Sequence, residues 1–109
     1  MKIFEKLNSI RAYQRTHLQF LESLEDYDIV CEIGAAQEAG KFMTAKQLLL
    51  CGLGAPATLR RRLERMVKMG IVTKRRNLHD GRMAELRLAP DILRAYSKLA
   101  KVIDKLDKG

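Results

Sequence analysis

Between Gly52 and Leu88 the chain changes its hydrophobic period, and glycine or proline marks the changes. Cys51-Gly52-Leu53-Gly54-Ala55-Pro56 gives a tight turn, and Pro56 suits the first position of a new helix. From Pro56 to Met69 the apolar residues recur at helical spacing, with Leu59, Leu63, Met66 and Val67 in one stripe. Gly70 stops that helix. Ile71 to Arg76 then reads as a strand, Asn77 to Arg82 contains the turn pair Asp80-Gly81, and Met83 to Leu88 alternates with period two. A helix that runs at once into a hairpin is a narrow constraint. Thr44 tightens it by capping a brief helix through Leu50. Residues 44–69 therefore read as a helix-turn-helix, and residues 71–88 as a two-stranded wing.

The same window holds the charge. Ten of the 21 lysines and arginines lie between Ala55 and Arg87 against three acids, a net of +7 out of the chain's +8. The densest runs, Arg60-Arg61-Arg62 and Lys74-Arg75-Arg76, flank the junction of helix and strand. Charge confined to a third of the chain points to a face that meets a polyanion, and nucleic acid is the obvious one. At about 100° per residue, Ala57, Thr58, Arg61, Arg65 and Lys68 lie opposite the apolar stripe, with Arg60 and Arg62 on its flanks. Such a helix fits the major groove, where Thr58, Arg60, Arg61, Arg62, Arg65 and Lys68 would meet base edges and phosphates. Arg75, Arg76, His79, Asp80 and Arg82 would form the wing's contacts, since arginine at a hairpin tip enters the narrow, negative minor groove. No Ser, Thr, Asp or Asn stands before Pro56, so Thr58 or a phosphate is expected to satisfy the first amide groups of the helix.

Two further stripes lie outside this core. From about Lys2 to Leu24, Ile3, Leu7, Ile10, Gln14, His17, Leu21 and Leu24 alternate at spacings of four and three, a coiled-coil-like seam. Pro90 and Asp91 open a last helix to about Lys108, where Ile92, Tyr96, Leu99, Ile103 and Leu106 repeat that spacing. Between them, Asp26 is the expected N-cap of a second helix running to about Ala39, with Ile29, Val30 and Ile33 inward, and Lys41-Phe42-Met43 is a short extended piece. Large apolar stripes on a small domain mark an interface. Residues 1–24 and 91–108 are therefore expected to dimerise the chain through Ile3, Leu7, Ile10, Leu21, Ile92, Tyr96, Leu99, Ile103 and Leu106. The alternative is that the two helices pack on each other within one protomer. A two-fold homodimer would set two recognition helices on one face of DNA and select a pseudo-palindromic operator.

A length of 109 residues allows one domain, mainly α with a small β component (α+β). No segment approaches the roughly 20 apolar residues that span a bilayer. Lys2, Glu5, Lys6 and Arg11 interrupt any signal-like stretch, which makes the cytoplasm the expected compartment. Cys31 and Cys51 form no CxxC, and with two histidines no zinc-ligand spacing occurs, so no metal or other cofactor is expected. Both cysteines are expected to be small buried hydrophobes. No nucleophilic triad or carboxylate pair offers catalysis. Gly52-Leu53-Gly54-Ala55-Pro56-Ala57 fits G-x-G-x-x-A, but it follows a capped helix where a dinucleotide-binding unit has a strand, so an enzyme is not expected.

The stretch from Ala55 to Val72, with Asp80-Gly81-Arg82 and Ala84 to Leu88, resembles the MarR family of winged-helix transcriptional regulators. Thr58, Arg61, Gly70-Ile71-Val72, Asp80 and Arg82 match the family's pattern over roughly Ala36 to Pro90, while Ala55 and Ala57 replace expected hydroxyl side chains. The resemblance implies a dimeric regulator that binds double-stranded DNA. Asp80 would hold the wing arginine, and Arg82 would probe the minor groove. Two other readings stand beside it: a winged-helix module that binds protein, and a regulator responsive to a small-molecule effector or to oxidation at a cysteine.

Overall fold

Ser23 and Thr44 start the two helices on which the basic segment is built. In the computed structural model, which describes residues 2–76 and 84–108, the Ser23 hydroxyl accepts the Asp26 amide at 3.2 Å and opens helix α2 (Leu24–Glu38). The cap is thus Ser23, three residues before the expected Asp26, which sits inside the first turn. Strand β1 (Met43–Thr44) follows, and Thr44 then caps helix α3 (Ala45–Leu49). The Thr44 hydroxyl accepts from the Gln47 amide at 3.2 Å, while the Gln47 carboxamide oxygen accepts from the Thr44 amide at 2.9 Å. This reciprocal box satisfies two amides that a five-residue helix would otherwise leave open.

Helix α4 (Pro56–Lys68) begins after the glycine turn with proline in its first turn and no side-chain cap. Leu59, Leu63 and Met66 are buried along one side, as the spacing requires. Met69 and Gly70 end it. Gly70 takes φ +76°, its amide donates to Val67 O at 3.1 Å, and the Ile71 amide donates to Met66 O at 2.9 Å. That pair of bonds needs a left-handed residue, a conformation in which a side chain on Cα meets the following carbonyl.

Strands β2 (Val72–Arg76) and β3 (Ala84–Leu88) pair antiparallel, from Val72 opposite Leu88 to Arg76 opposite Ala84. β1 adds to the far side of β3, with Met43 opposite Leu86 and Thr44 opposite Glu85, so the sheet order is β1-β3-β2. The sequence reading gave the hairpin and a short extended piece at Lys41-Phe42-Met43, which overlaps β1 at Met43, but not its pairing with β3. Two residues carry too little alternation to announce a strand. The sheet is pinned to α2 at two points. Leu88 N donates to the Gln37 carboxamide at 2.7 Å, and a Cβ added at Gly34 would stand 3.3 Å from Leu88 Cδ1.

Two compact units result: Ser23–Ala89, and the terminal segments Met1–Glu22 with Pro90–Gly109. The core of the first comprises Ile29, Val30 and Ile33 of α2, Leu48 of α3, the α4 stripe, and Ile71, Val72, Leu86 and Leu88 around the sheet. In the second, helix α1 (Ile3–His17) lies against helix α5 (Pro90–Lys108). Tyr13 donates its hydroxyl to Ala95 O at 2.7 Å, and Lys6 pairs with Asp107 at 2.6 Å, so the two helices run antiparallel. α1 is shorter than the repeat of apolar spacing suggested. Leu18, fully buried, leaves the helical path, and Leu21 N turns back to Leu18 O. No glycine or proline marked that break.

The left-handed position gives the fold its first test. Gly70→Ala should cost roughly 1–2 kcal/mol in urea denaturation. Gly54→Ala, where an added Cβ meets nothing closer than Leu59 at 3.9 Å, should leave stability nearly unchanged.

Candidate nucleic-acid interface

The arginines of α4 fall into two groups with different partners. Arg61 and Lys68 lie opposite the apolar stripe and are exposed, as are Ala57, Arg60 and Glu64; Thr58 is half-buried. Arg62 and Arg65 turn toward α2. There the Asp26 carboxylate is fully buried, with Arg65 Nη1 at 3.5 Å and Arg62 Nη1 at 3.8 Å from its Oδ2. Both guanidinium side chains remain about a quarter exposed, 27% and 26%. A carboxylate removed from water requires such partners, and its place in the first turn of α2 adds the favourable end of that helix's dipole. This anchor escaped the sequence reading, which gave Asp26 a capping role. The available signal was Ser23, three residues earlier, which is the better cap and frees Asp26 for another task.

The exposed face is therefore lined by Thr58, Arg60, Arg61 and Lys68. The start of α4 has no side-chain cap, so its first amide groups and positive dipole end meet solvent beside exposed Ala55, Pro56 and Ala57. Thr58 makes no capping bond to satisfy them. On β2, Lys74, Arg75 and Arg76 are exposed, and Arg75 faces Glu85 across the ladder. Arg87, in contrast, lies flat on Phe42, its guanidinium carbon 3.9 Å from the ring centre, and is 3.9 Å from Glu85. It braces β3. His79, Asp80 and Arg82 of the expected wing tip lie outside the described residues.

The expected dimer residues are divided. Ile3, Leu7 and Ile103 are exposed, and Ile10, Tyr96 and Leu106 are half-buried. Leu21, Ile92 and Leu99 are buried within the chain itself. The alternative weighed from the sequence, α1 packed on α5 in one protomer, accounts for part of the two stripes; Phe4, 75% exposed, joins the part left over.

Both cysteines are exposed, against expectation. Cys51 donates its thiol to Leu48 O at 3.0 Å. Partial desolvation, with Asp28 and Glu32 nearby, pushes the Cys31 thiol above its ordinary range. That favours the unreactive thiol and works against oxidation sensing there. Gly52 to Ala57 follows α3 and runs into the first turn of α4, so a helix stands where a dinucleotide-binding turn would follow a strand. Among the described residues, no helix is long and apolar enough to cross a membrane.

No protein-family model and no curated protein sequence matches the chain. Solved structures do. A mutant of MepR from S. aureus bound to an oligodeoxyribonucleotide aligns with TM-score 0.71 over 96% of this chain and 72% of its own, at 12% identity. Transcriptional regulator Tm0710 from Thermotoga maritima gives 0.68 over 97% and 72%, at 16% identity. A mutant of MarR from E. coli complexed with operator DNA gives 0.58 over 93% and 70%, at 18% identity. The fold is that of a MarR-like winged helix.

The buried carboxylate makes a prediction of its own. Asp26→Ala should destabilise the protein by about 1–3 kcal/mol in chemical denaturation, less than a wholly buried pair because both arginines keep access to water. Arg62→Met should cost less than Asp26→Ala, since Arg65 still neutralises the acid.

Proposed function

We propose that the chain is a transcriptional regulator that binds double-stranded DNA as a homodimer in the cytoplasm. The observation that carries this reading is the exposed face of α4. Thr58, Arg60 and Arg61 lie in the first two turns after an uncapped helix start and Lys68 at the far end of the same helix, on a fold whose relatives in structure include DNA-bound regulators. Arg61 takes a base edge in the major groove, and Arg60 and Lys68 take phosphates. The wing carries Arg75 and Arg76, and His79, Asp80 and Arg82, in the sequence between β2 and β3, are assigned to minor-groove contacts as arginine-rich hairpins make them. Arg62 and Arg65 act mainly through Asp26, holding α4 against α2. An open apolar remainder at one end of the α1–α5 pair, Ile3, Phe4, Leu7 and Ile103, supports self-association. Two copies would present two recognition helices to a pseudo-palindromic operator.

Fluorescence anisotropy against labelled duplex across a salt series tests the first part. Affinity should fall steeply, each neutralised phosphate contributing about −0.9 to the log–log slope. Arg61→Ala should lose roughly 1–3 kcal/mol on the preferred site and little on random duplex. A response flat in salt would remove the DNA reading and leave a protein-binding winged helix.

Sedimentation tests the second part. Phe4→Lys with Ile103→Lys changes exposed positions and should yield monomers that keep their helical content but lose most operator affinity. A parent chain that sediments as 12.5 kDa at micromolar concentration and still binds tightly would contradict the dimer.

A further inference from the structure

The exposed face of α4 contains an acid. Glu64 lies on the outward stripe Ala57–Arg61–Glu64–Lys68, at spacings of four, three and four. It lines three clefts that open along this helix, one toward α3 and β2, one beside Pro56 and Arg61, and one beside Arg65 and Met69. Its basic neighbours are Arg60, Arg61 and Lys68, three or four residues away. Even so, among the described residues no ion pair joins Glu64 to any of them, whereas Asp26, Glu85 and Asp107 each face a cation within 4.0 Å.

An open carboxylate there is costly for grip alone. It subtracts from the positive field and repels every phosphate that approaches α4, whatever the base sequence. Its chemistry does suit one base edge. A carboxylate accepts but cannot donate, and in the major groove cytosine offers the N4 amino donor that Glu and Asp accept from. We propose that Glu64 is a specificity-determining residue that selects cytosine in each half-site. The proposal rests on the DNA-binding reading above. Residues three apart rise about 4.5 Å along a helix, and successive bases of a strand about 3.4 Å along duplex. Arg61 and Glu64 therefore address neighbouring base pairs, one rich in acceptors and one carrying a donor. The acid also raises specificity by lowering affinity for everything else, since its repulsion acts on all sequences and its hydrogen bond on one.

Selection of bound fragments from a randomised duplex pool tests this, using the full chain and the variants Glu64→Gln and Glu64→Ala. The parent should select a C·G pair next to the pair read by Arg61. Replacing that pair should cost the parent roughly tenfold in affinity. Glu64→Ala should lose that preference and bind random duplex several-fold more tightly. Glu64→Gln should move the preference toward adenine, because a carboxamide both donates and accepts. Position 64 is exposed, and neither variant should change thermal stability. A parent that selects a site while the two variants select the same one overturns the role of Glu64 and leaves DNA binding intact. A parent that selects no sequence, with binding insensitive to salt, overturns the DNA reading and this inference with it.

Discussion

A carboxylate with no access to water sits between α2 and the basic helix α4, and two of that helix's five cations turn toward it. Asp26 belongs to the first turn of α2, and its two arginine partners are one turn apart on α4. Apolar packing of Leu59, Leu63 and Met66 brings α4 against the core, but such contacts tolerate sliding and rotation by small amounts. A buried charge does not. Its hydrogen-bonding term falls off quickly with distance, and the desolvated acid has no water to replace a lost partner. The two arginines thus add a directional restraint to the apolar packing of α4.

The division of labour among the arginines follows. Five cationic residues of α4 look interchangeable by composition, yet two are engaged with the interior and three remain for a partner. Net charge alone overstates the grip of this face. The face is also mixed in detail, because Glu64 stands among the remaining cations.

Much of this was legible in the residues. The helix-turn-helix and hairpin were written in Pro56, Gly70 and the change of period, and α3 in Thr44, because local rules of capping and alternation govern those elements. The breaks that failed to appear were of another kind. α1 ends at His17 with no helix-breaking residue, because burial of Leu18 sets its path and burial is a tertiary property. The short extended piece was legible, but its partner was not, because pairing of Met43–Thr44 with β3 is a tertiary contact. Arg62 and Arg65 were placed on the helix wheel at its flank and outer face. A wheel shows where a side chain starts but not that a long guanidinium can reach sideways to an acid 36 or 39 positions earlier in the chain. The apolar seams left two readings open for the same reason. Periodicity reports that a stripe is covered, and the α1–α5 pairing shows that part of the cover comes from the same chain.

Thr44 belongs to two elements at once. Its backbone closes the ladder opposite Glu85 of β3, while its hydroxyl and amide complete the box that starts α3. The hairpin and the helix-turn-helix consequently share a residue. Moving β3 would drag the start of α3 and break the box. Shifting α3 would shear the sheet. The start of α3 and the edge of the sheet are thus held together through one residue and shift together or not at all.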